Sequence, residues 1–316
     1  MKKVALVGCG RISDRHIEAI LGTKDLELSV LCDNKIDVGA PKAKKLHKPF
    51  ESDFKKIQGV DVISVLTPSG LHPRHVIEIS ENCDVKYIVC EKPISLTLRE
   101  AYEVYTAVKS NGKVLLPVYQ NRYNPLIQFI KYIVDSGELG ALYQFVCNVF
   151  WNRDDKYYQI DWHGTKELDG GVLYTQASHY IDMIHFLFGE VVQSKGIGGN
   201  LRKLEVFDTI SAVCEFKSGI VGSVNATVST FRKNYLTEFV LIAEKGTIRL
   251  SGTNLNTISF WDIEGIEKPE IDFSIDHVYG KGHNQMYEYI ANENWDKFPS
   301  KEDVLSGIRL MELLSY

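Results

Sequence analysis

The 316-residue chain has no long hydrophobic run, no basic excess, no paired cysteines and no internal repeat, and each absence narrows its class. A membrane-spanning helix takes about 20 consecutive apolar residues, and no stretch of this sequence comes near that. The opening MKKVALVGCG has charge followed by apolar residues, but that run breaks at a Gly-rich turn and is too short for a signal segment. Lysine and arginine total 36 against 41 aspartates and glutamates, a net charge of −5, so bulk electrostatics favour no nucleic-acid partner. Cys9, Cys32, Cys83, Cys90, Cys147 and Cys214 are scattered without a C-x-x-C pair. Several lie in apolar strand-like runs, the pattern of buried reduced thiols. The expected compartment is the cytoplasm, with neither membrane nor nucleic acid as partner.

What is present is an ordinary globular composition, 44% hydrophobic and 24% charged, long enough for one large or two medium domains. The first third alternates apolar runs (KVALVG, LELSVLCD, VDVISVLTP, VKYIVCEKP, KVLLPVYQ) with amphipathic stretches. Strands that are apolar throughout and separated by helices imply a parallel sheet covered on both faces. The spacing predicts an α/β, doubly wound Rossmann domain over 1–119. Beyond it, LYQFVCNVFWNR, TISAVCEFKSG, IVGSVNATVST, TEFVLIAEKG and TIRLSG read as strands, with hairpin turns at KSG and EKGT. The remainder, 120–316, is expected to be an α+β domain with a large, mainly antiparallel sheet. Apolar residues fall on both faces of its strands, which favours an oligomer. The final KEDVLSGIRLMELLSY reads as an amphipathic helix.

VALVGCGRIS ends a strand with Gly8-x-Gly10-x-x-Ser13 and enters a helix, a dinucleotide fingerprint with serine in the third glycine's place. Gly8 permits the tight turn, and Gly10 lets the backbone approach a pyrophosphate. Arg11 and Ile12 complete the turn, and the helix N-terminus supplies N–H groups and partial positive charge to the phosphates. Asp33 ends the second strand about 20 residues further on, where a carboxylate accepts from the adenosine ribose. It also repels a 2′-phosphate, at a cost of about 4 kcal/mol at an effective dielectric near 20. Although Lys35 softens this repulsion, the preferred cofactor is NAD. Two further strand ends carry Thr67, Pro68, Ser69 and His72, and then Glu91, Lys92 and Pro93, at the edge where open α/β sheets bind ligands. Glu-Lys-Pro there holds an ammonium rigidly.

In DGGVLYTQASHYID, helical spacing puts Thr175, Gln176, His179 and Asp182 on one side and Ala177, Ile181, Ile184 and Phe188 on an apolar stripe. Alone, such a histidine is structural, a metal ligand or a base. A zinc site built from His163, His179 and His185 lacks ligand-like spacing. The context of Lys92 and a nicotinamide cofactor favours catalysis.

VGCGRISDRHI, TPSGLHPRHV, CEKPISLTLREA and GGVLYTQASHYIDM, in this order along essentially the whole chain, resemble the Gfo/Idh/MocA oxidoreductases. The resemblance implies a Rossmann domain, a C-terminal sheet that commonly forms homodimer or homotetramer interfaces, and NAD with Thr67, Pro68, His72, Glu91, Lys92 and Gln120 near it. It implies that Lys92 and His179 flank the reacting carbon. Many members carry aspartate four residues before the histidine, where this chain has Thr175. The Thr175-Gln176 variant, with QNRYNP and DWHGT, is most similar to the UDP-N-acetylglucosaminuronate 3-dehydrogenase subgroup, which acts in 2,3-diamino sugar synthesis for bacterial surface polysaccharide. Some members recycle NAD with 2-oxoglutarate. This places Asn121, Arg153, Trp162, His163, Thr165, Thr175 and Gln176 around a nucleotide-sugar substrate, with Lys156, Lys166, Arg232 and Lys233 as further cations for its diphosphate. Oxidation needs a base, His179, with unperturbed pKa about 6.5, and a polarising cation, Lys92; the roles exchange if the lysine pKa is depressed. The alternatives are the parent UDP-N-acetylglucosamine, a polyol such as inositol, or a non-catalytic NAD-binding regulator.

Overall fold

Val4, Ala5, Leu6 and Val7 are almost completely buried, as a strand covered on both faces must be. They belong to β1 (Lys2–Val7), which starts an alternating series: α1 (Ser13–Gly22), β2 (Leu26–Cys32), α2 (Ile36–Lys45), β3 (Phe50–Glu51), β4 (Val62–Val65), α3 (His72–Asn82), β5 (Tyr87–Cys90), α4 (Leu98–Ser110) and β6 (Val114–Pro117). The strand order is β3-β2-β1-β4-β5-β6 and every pair is parallel. The order reverses between β1 and β4, and ligands of doubly wound sheets bind outside the strand ends at that point. α4 is started by a capping box in which Thr97 and Glu100 each satisfy the other's backbone N–H. The computed structural model describes residues 1–270 and 281–315.

The second sheet follows α5 (Pro125–Asp135). Its strands are β7 (Leu142–Phe150), then, after α6 (Ser178–Phe188), β8 (Val191–Gly199), β9 (Thr209–Phe216), β10 (Val221–Thr227), β11 (Leu236–Ala243), β12 (Gly246–Ser251) and β13 (Thr257–Ile263). The order is β13-β12-β11-β7-β10-β9-β8, antiparallel except for the parallel pair β7–β10. The turns at KSG and EKGT join β9 to β10 and β11 to β12 as hairpins. Phe145, Phe216 and Phe239 on the buried face meet Phe188 of α6, so the apolar stripe ending at Phe188 docks this helix on the sheet. The other face mixes Val213, Val221 and Ile242, all exposed, with a polar ladder. In that ladder Asn225 donates to Asn148, Asn148 to Glu238, and Arg249 also to Glu238.

The chain forms two units, Met1–Tyr119 with Gly282–Leu305, and Gln120–Lys281 with Ser306–Tyr316. Gly282–Leu305 lies with the first unit in this division: α7 (Gly282–Ala291) packs on α1 through His283 and Tyr287, both buried. The amphipathic end of the chain is α8 (Lys301–Leu314).

Candidate functional site

The Gly8 turn follows β1 with a φ of +102°, and a Cβ there would stand 2.7 Å from Leu66 C and O after β4. Only glycine fits this crossing. At Gly10 nothing lies within 4 Å of a Cβ position, so the backbone is open to close approach. The Asp33 carboxylate is fixed from both sides: Cys9 N–H donates to Oδ2 at 2.7 Å and Lys35 N–H to Oδ1 at 2.8 Å. Each oxygen retains lone-pair capacity for a ribose hydroxyl. Arg11 is exposed and Ile12 half-buried beside this turn. The glycine cradle, open turn and held carboxylate fit the adenosine and pyrophosphate of NAD. Lys42 of α2 adds a cation that sequence spacing does not reveal: its Nζ lies 2.8 Å from Ser13 Oγ and 2.7 Å from Asp14 Oδ1. Burial first, then Asp33, pushes the neighbouring Cys9 thiol up to about 12, which keeps it protonated and unreactive.

At the two further strand ends, after β4 and β5, the polar residues are held by protein groups. His72 is 1% exposed, with Nδ1 2.7 Å from Pro93 O and Nε2 2.7 Å from Thr67 O. Burial pushes its pKa down, and since carbonyls only accept, the neutral ring donates to one of the two strand-end loops at a time. Glu91 is likewise buried, and Oε2 accepts from Lys92 N–H at 3.0 Å. Its other oxygen receives His16 Nε2 at 2.9 Å and His283 Nε2 at 3.2 Å. Burial alone lifts a carboxylate, but the hydrogen bonds from the two imidazoles prevail and hold Glu91 well below the usual range. Thr67 Oγ1 meets His75 Nδ1 at 2.9 Å, and Pro68 and Lys92 are half-buried at this edge. The Lys92–Pro93 bond is cis.

In the second unit, His179 lies on the first turn of α6, half-buried, with Nε2 2.9 Å from Gln120 Nε2. Asp182 accepts from Arg122 Nε at 2.8 Å and from a terminal guanidinium nitrogen at 2.7 Å, a bidentate pair buried on both sides. This pair ties α6 to the turn of residues 120–123 that carries Gln120. Thr175 and Gln176 sit on a π-helical turn, Leu173–Ala177, that precedes α6; such turns alter the spacing read from a 3.6-residue period. Thr175 Oγ1 donates back to Gly171 O at 2.9 Å. Gln176 is buried, accepts from Arg153 and donates to Tyr157 OH at 3.1 Å. Arg153 also covers the Trp151 and Tyr157 rings at 5.0 and 5.5 Å. His163 stacks on Tyr157 at 3.8 Å and touches Trp162, with Nδ1 donating to Tyr157 O at 2.7 Å. Thr165 Oγ1 donates to Trp162 O, and Asn121 is half-buried on the turn beside Gln120. Arg153, Gln176, Tyr157, His163 and Trp162 thus form one group, while Lys156, Lys166, Arg232 and Lys233 are exposed. Among the described residues His163, His179 and His185 form no group of metal-ligating atoms, and His185 Nδ1 donates to Gly189 O. Among the described residues the metal-ligating side chains that come together are His16, Glu91 and His283.

Residues 2–119 match the NAD-binding Rossmann fold of this oxidoreductase family, and residues 127–249 match the GFO/IDH/MocA C-terminal domain. The WlbA dehydrogenase from Bordetella pertussis, solved with NADH and UDP-GlcNAcA, is 30% identical with a TM-score of 0.90, over 99% of this chain and 94% of that one. The chain belongs to the Gfo/Idh/MocA family. The levoglucosan dehydrogenase of Pseudarthrobacter phenanthrenivorans is 27% identical over 267 residues, 75% of this chain and 65% of the relative's length. The myo-inositol 2-dehydrogenase of Thermotoga maritima is 23% identical over 272 residues, 83% of this chain and 79% of that protein. Within this Gfo/Idh/MocA chain, sequence reasoning missed Lys42, His16, His283 and Tyr157, and it placed Arg122 beside the cofactor or substrate without its pairing to Asp182. The partners of Lys42, His16 and His283 are distant in sequence, and no local pattern marks them.

Proposed function

We propose that this chain is an NAD-dependent dehydrogenase that oxidises the C3 hydroxyl of a UDP-2-acetamido sugar, UDP-N-acetylglucosaminuronate, to the 3-keto sugar. The observation that carries the reading is the likeness, over 99% of the chain, to a dehydrogenase solved with NADH and UDP-GlcNAcA. The site supports it with a histidine in a polar setting and an arginine–glutamine–tyrosine group suited to an anionic sugar. Gly8, Gly10, Arg11, Ile12 and Asp33 hold the dinucleotide, with Thr67 and Pro68 at the nicotinamide end. When bound, NAD accepts the hydride that leaves the sugar carbon. His179 takes the hydroxyl proton, a contribution of about 10²–10⁴-fold for a positioned base. Lys92 donates to the same oxygen and stabilises the negative charge that develops there. Gln120, whose amide N–H donates to His179 Nε2, keeps the imidazole oriented. Arg153, half-buried over two aromatic rings, is the cation for a substrate carboxylate or phosphate, with Asn121, Trp162, His163, Thr165, Thr175 and Gln176 around it. The mixed apolar and polar outer face of the second sheet is a homodimer or homotetramer surface, and 2-oxoglutarate is the acceptor that regenerates NAD.

Purified protein is incubated with UDP-N-acetylglucosaminuronate, UDP-N-acetylglucosamine, myo-inositol and levoglucosan, each with 2-oxoglutarate, and 2-hydroxyglutarate is measured. The uronate is expected to give the highest kcat/KM. Turnover of inositol or levoglucosan alone assigns a polyol or free-sugar substrate instead, and bound NAD without turnover of any compound points to a regulator.

A further inference from the structure

The backbone of Lys92–Pro93 is gripped from two sides. His72 meets the Pro93 carbonyl, and Glu91 accepts from the Lys92 N–H. Glu91 is itself the end of a buried relay. His16 is 0% exposed and His283 2%, and both direct Nε2 at Glu91 Oε1. His16 Nδ1 lies 2.8 Å from Tyr287 OH, which lies 2.9 Å from Ser64 Oγ. An ionised carboxylate only accepts, so Nε2 of His16 carries the proton and Nδ1 must accept. Tyr287 then donates to His16 and Ser64 donates to Tyr287. One consistent direction runs Ser64, Tyr287, His16, Glu91, with His283 and the Lys92 peptide N–H as the other donors to that carboxylate.

We propose that Glu91 is a positioning residue: held by His16 and His283, it fixes the backbone of Lys92 and so the direction in which that side chain leaves the sheet edge. The inference rests on the reading of Lys92 as the group that donates to the reacting oxygen. Burying an anion is costly, and well-packed apolar residues in its place are often neutral or stabilising, so packing alone does not account for this arrangement. A return in precision does, because a displacement of about 1 Å in a reacting group costs about 10²-fold in rate. The relay joins three elements to the Lys92 loop at the end of β5: α1 through His16, β4 through Ser64 and α7 through His283 and Tyr287. Since α1 is also the helix that receives the pyrophosphate, the same element sets both cofactor and lysine.

The test uses the full chain with NAD and compares wild type, Glu91→Gln, His283→Asn and His283→Ala. kcat, KM and NAD affinity are measured, together with competitive acylation of Lys92 by acetic anhydride, read by mass spectrometry and independent of turnover. Glu91→Gln is expected to lower kcat about 10²-fold with KM and NAD affinity unchanged, and to raise the acylation rate of Lys92 toward that of exposed lysines. His283→Asn, which retains an N–H donor, is expected to keep more activity than His283→Ala. Unchanged kcat and unchanged Lys92 acylation in a folded Glu91→Gln protein overturn the proposal, as does a loss of thermal stability with kcat intact. Stoichiometric zinc in the wild type, lost in His283→Ala, also overturns it, because the three groups would then be metal ligands. If wild type turns over no sugar, the dehydrogenase reading fails, while the acylation comparison still decides the role of Glu91.

Discussion

Gln120 meets His179 with a neutral amide, and Thr175 stands where the resemblance leads one to expect an aspartate. A carboxylate would favour the protonated imidazole; a neutral amide orients the ring without adding charge. His179→Ala and Lys92→Ala are each expected to reduce turnover by about 10²–10⁴-fold with NAD binding retained, measured by steady-state kinetics and cofactor titration. A fully active variant removes that residue from the mechanism. Arg122→Ala leaves Asp182 buried without its bidentate partner and is expected to cost about 3–5 kcal/mol, measured by urea unfolding. At this scale the sequence was informative about residue type but not about partners. Glu91, His72 and Asp182 were recognisable as unusual polar residues at strand ends or on an apolar helix. Their bonds to His16, Pro93 and Arg122 depend on chain segments 21 to 75 positions away, which no local pattern encodes.

Elements were more legible than contacts. Continuous apolar runs identified the parallel strands because both faces of that sheet are covered, and hairpin turns with glycine identified two antiparallel pairs. The π-helical turn before α6 was not legible, since a five-residue departure leaves the apolar stripe intact while moving Thr175 and Gln176. Nor was the packing of α7 against α1, which depends on His283 and Tyr287 finding His16 across the fold. These buried histidines set a pH dependence. His16 and His72 have folded pKa values below the unfolded value of about 6.5, chiefly through burial. The unfolded chain therefore binds protons first, and stability falls as pH drops below about 6.5. Glu91, also depressed, adds a second loss in the same direction as pH falls below about 4.3, the unfolded glutamate value. Thermal midpoints recorded from pH 8 downward are expected to decline along this course, and less steeply in His16→Gln. A midpoint independent of pH down to 5 contradicts the assignment of neutral buried imidazoles.

At the scale of the whole molecule, one unit carries the Gly8–Gly10 turn, Asp33 and Lys92, and the other carries His179 and the Arg153 group. The mixed outer face of the second sheet is expected to make the protein a homodimer or homotetramer. Introducing charge at two of its exposed apolar positions, Val213→Glu with Val221→Glu, should shift sedimentation toward monomer, and unchanged sedimentation places the interface elsewhere. Hydride is expected to leave C3 of a UDP-2-acetamido sugar for NAD held by the Gly8–Gly10 turn and Asp33. UDP-N-acetylglucosaminuronate deuterated at C3 tests it directly, with the nicotinamide analysed by mass spectrometry after one turnover. The predicted result is one deuterium on the reduced nicotinamide and a 3-keto sugar that has lost it. Deuterium retained on the sugar while NAD becomes reduced, or no transfer from a sugar that demonstrably binds, contradicts the account.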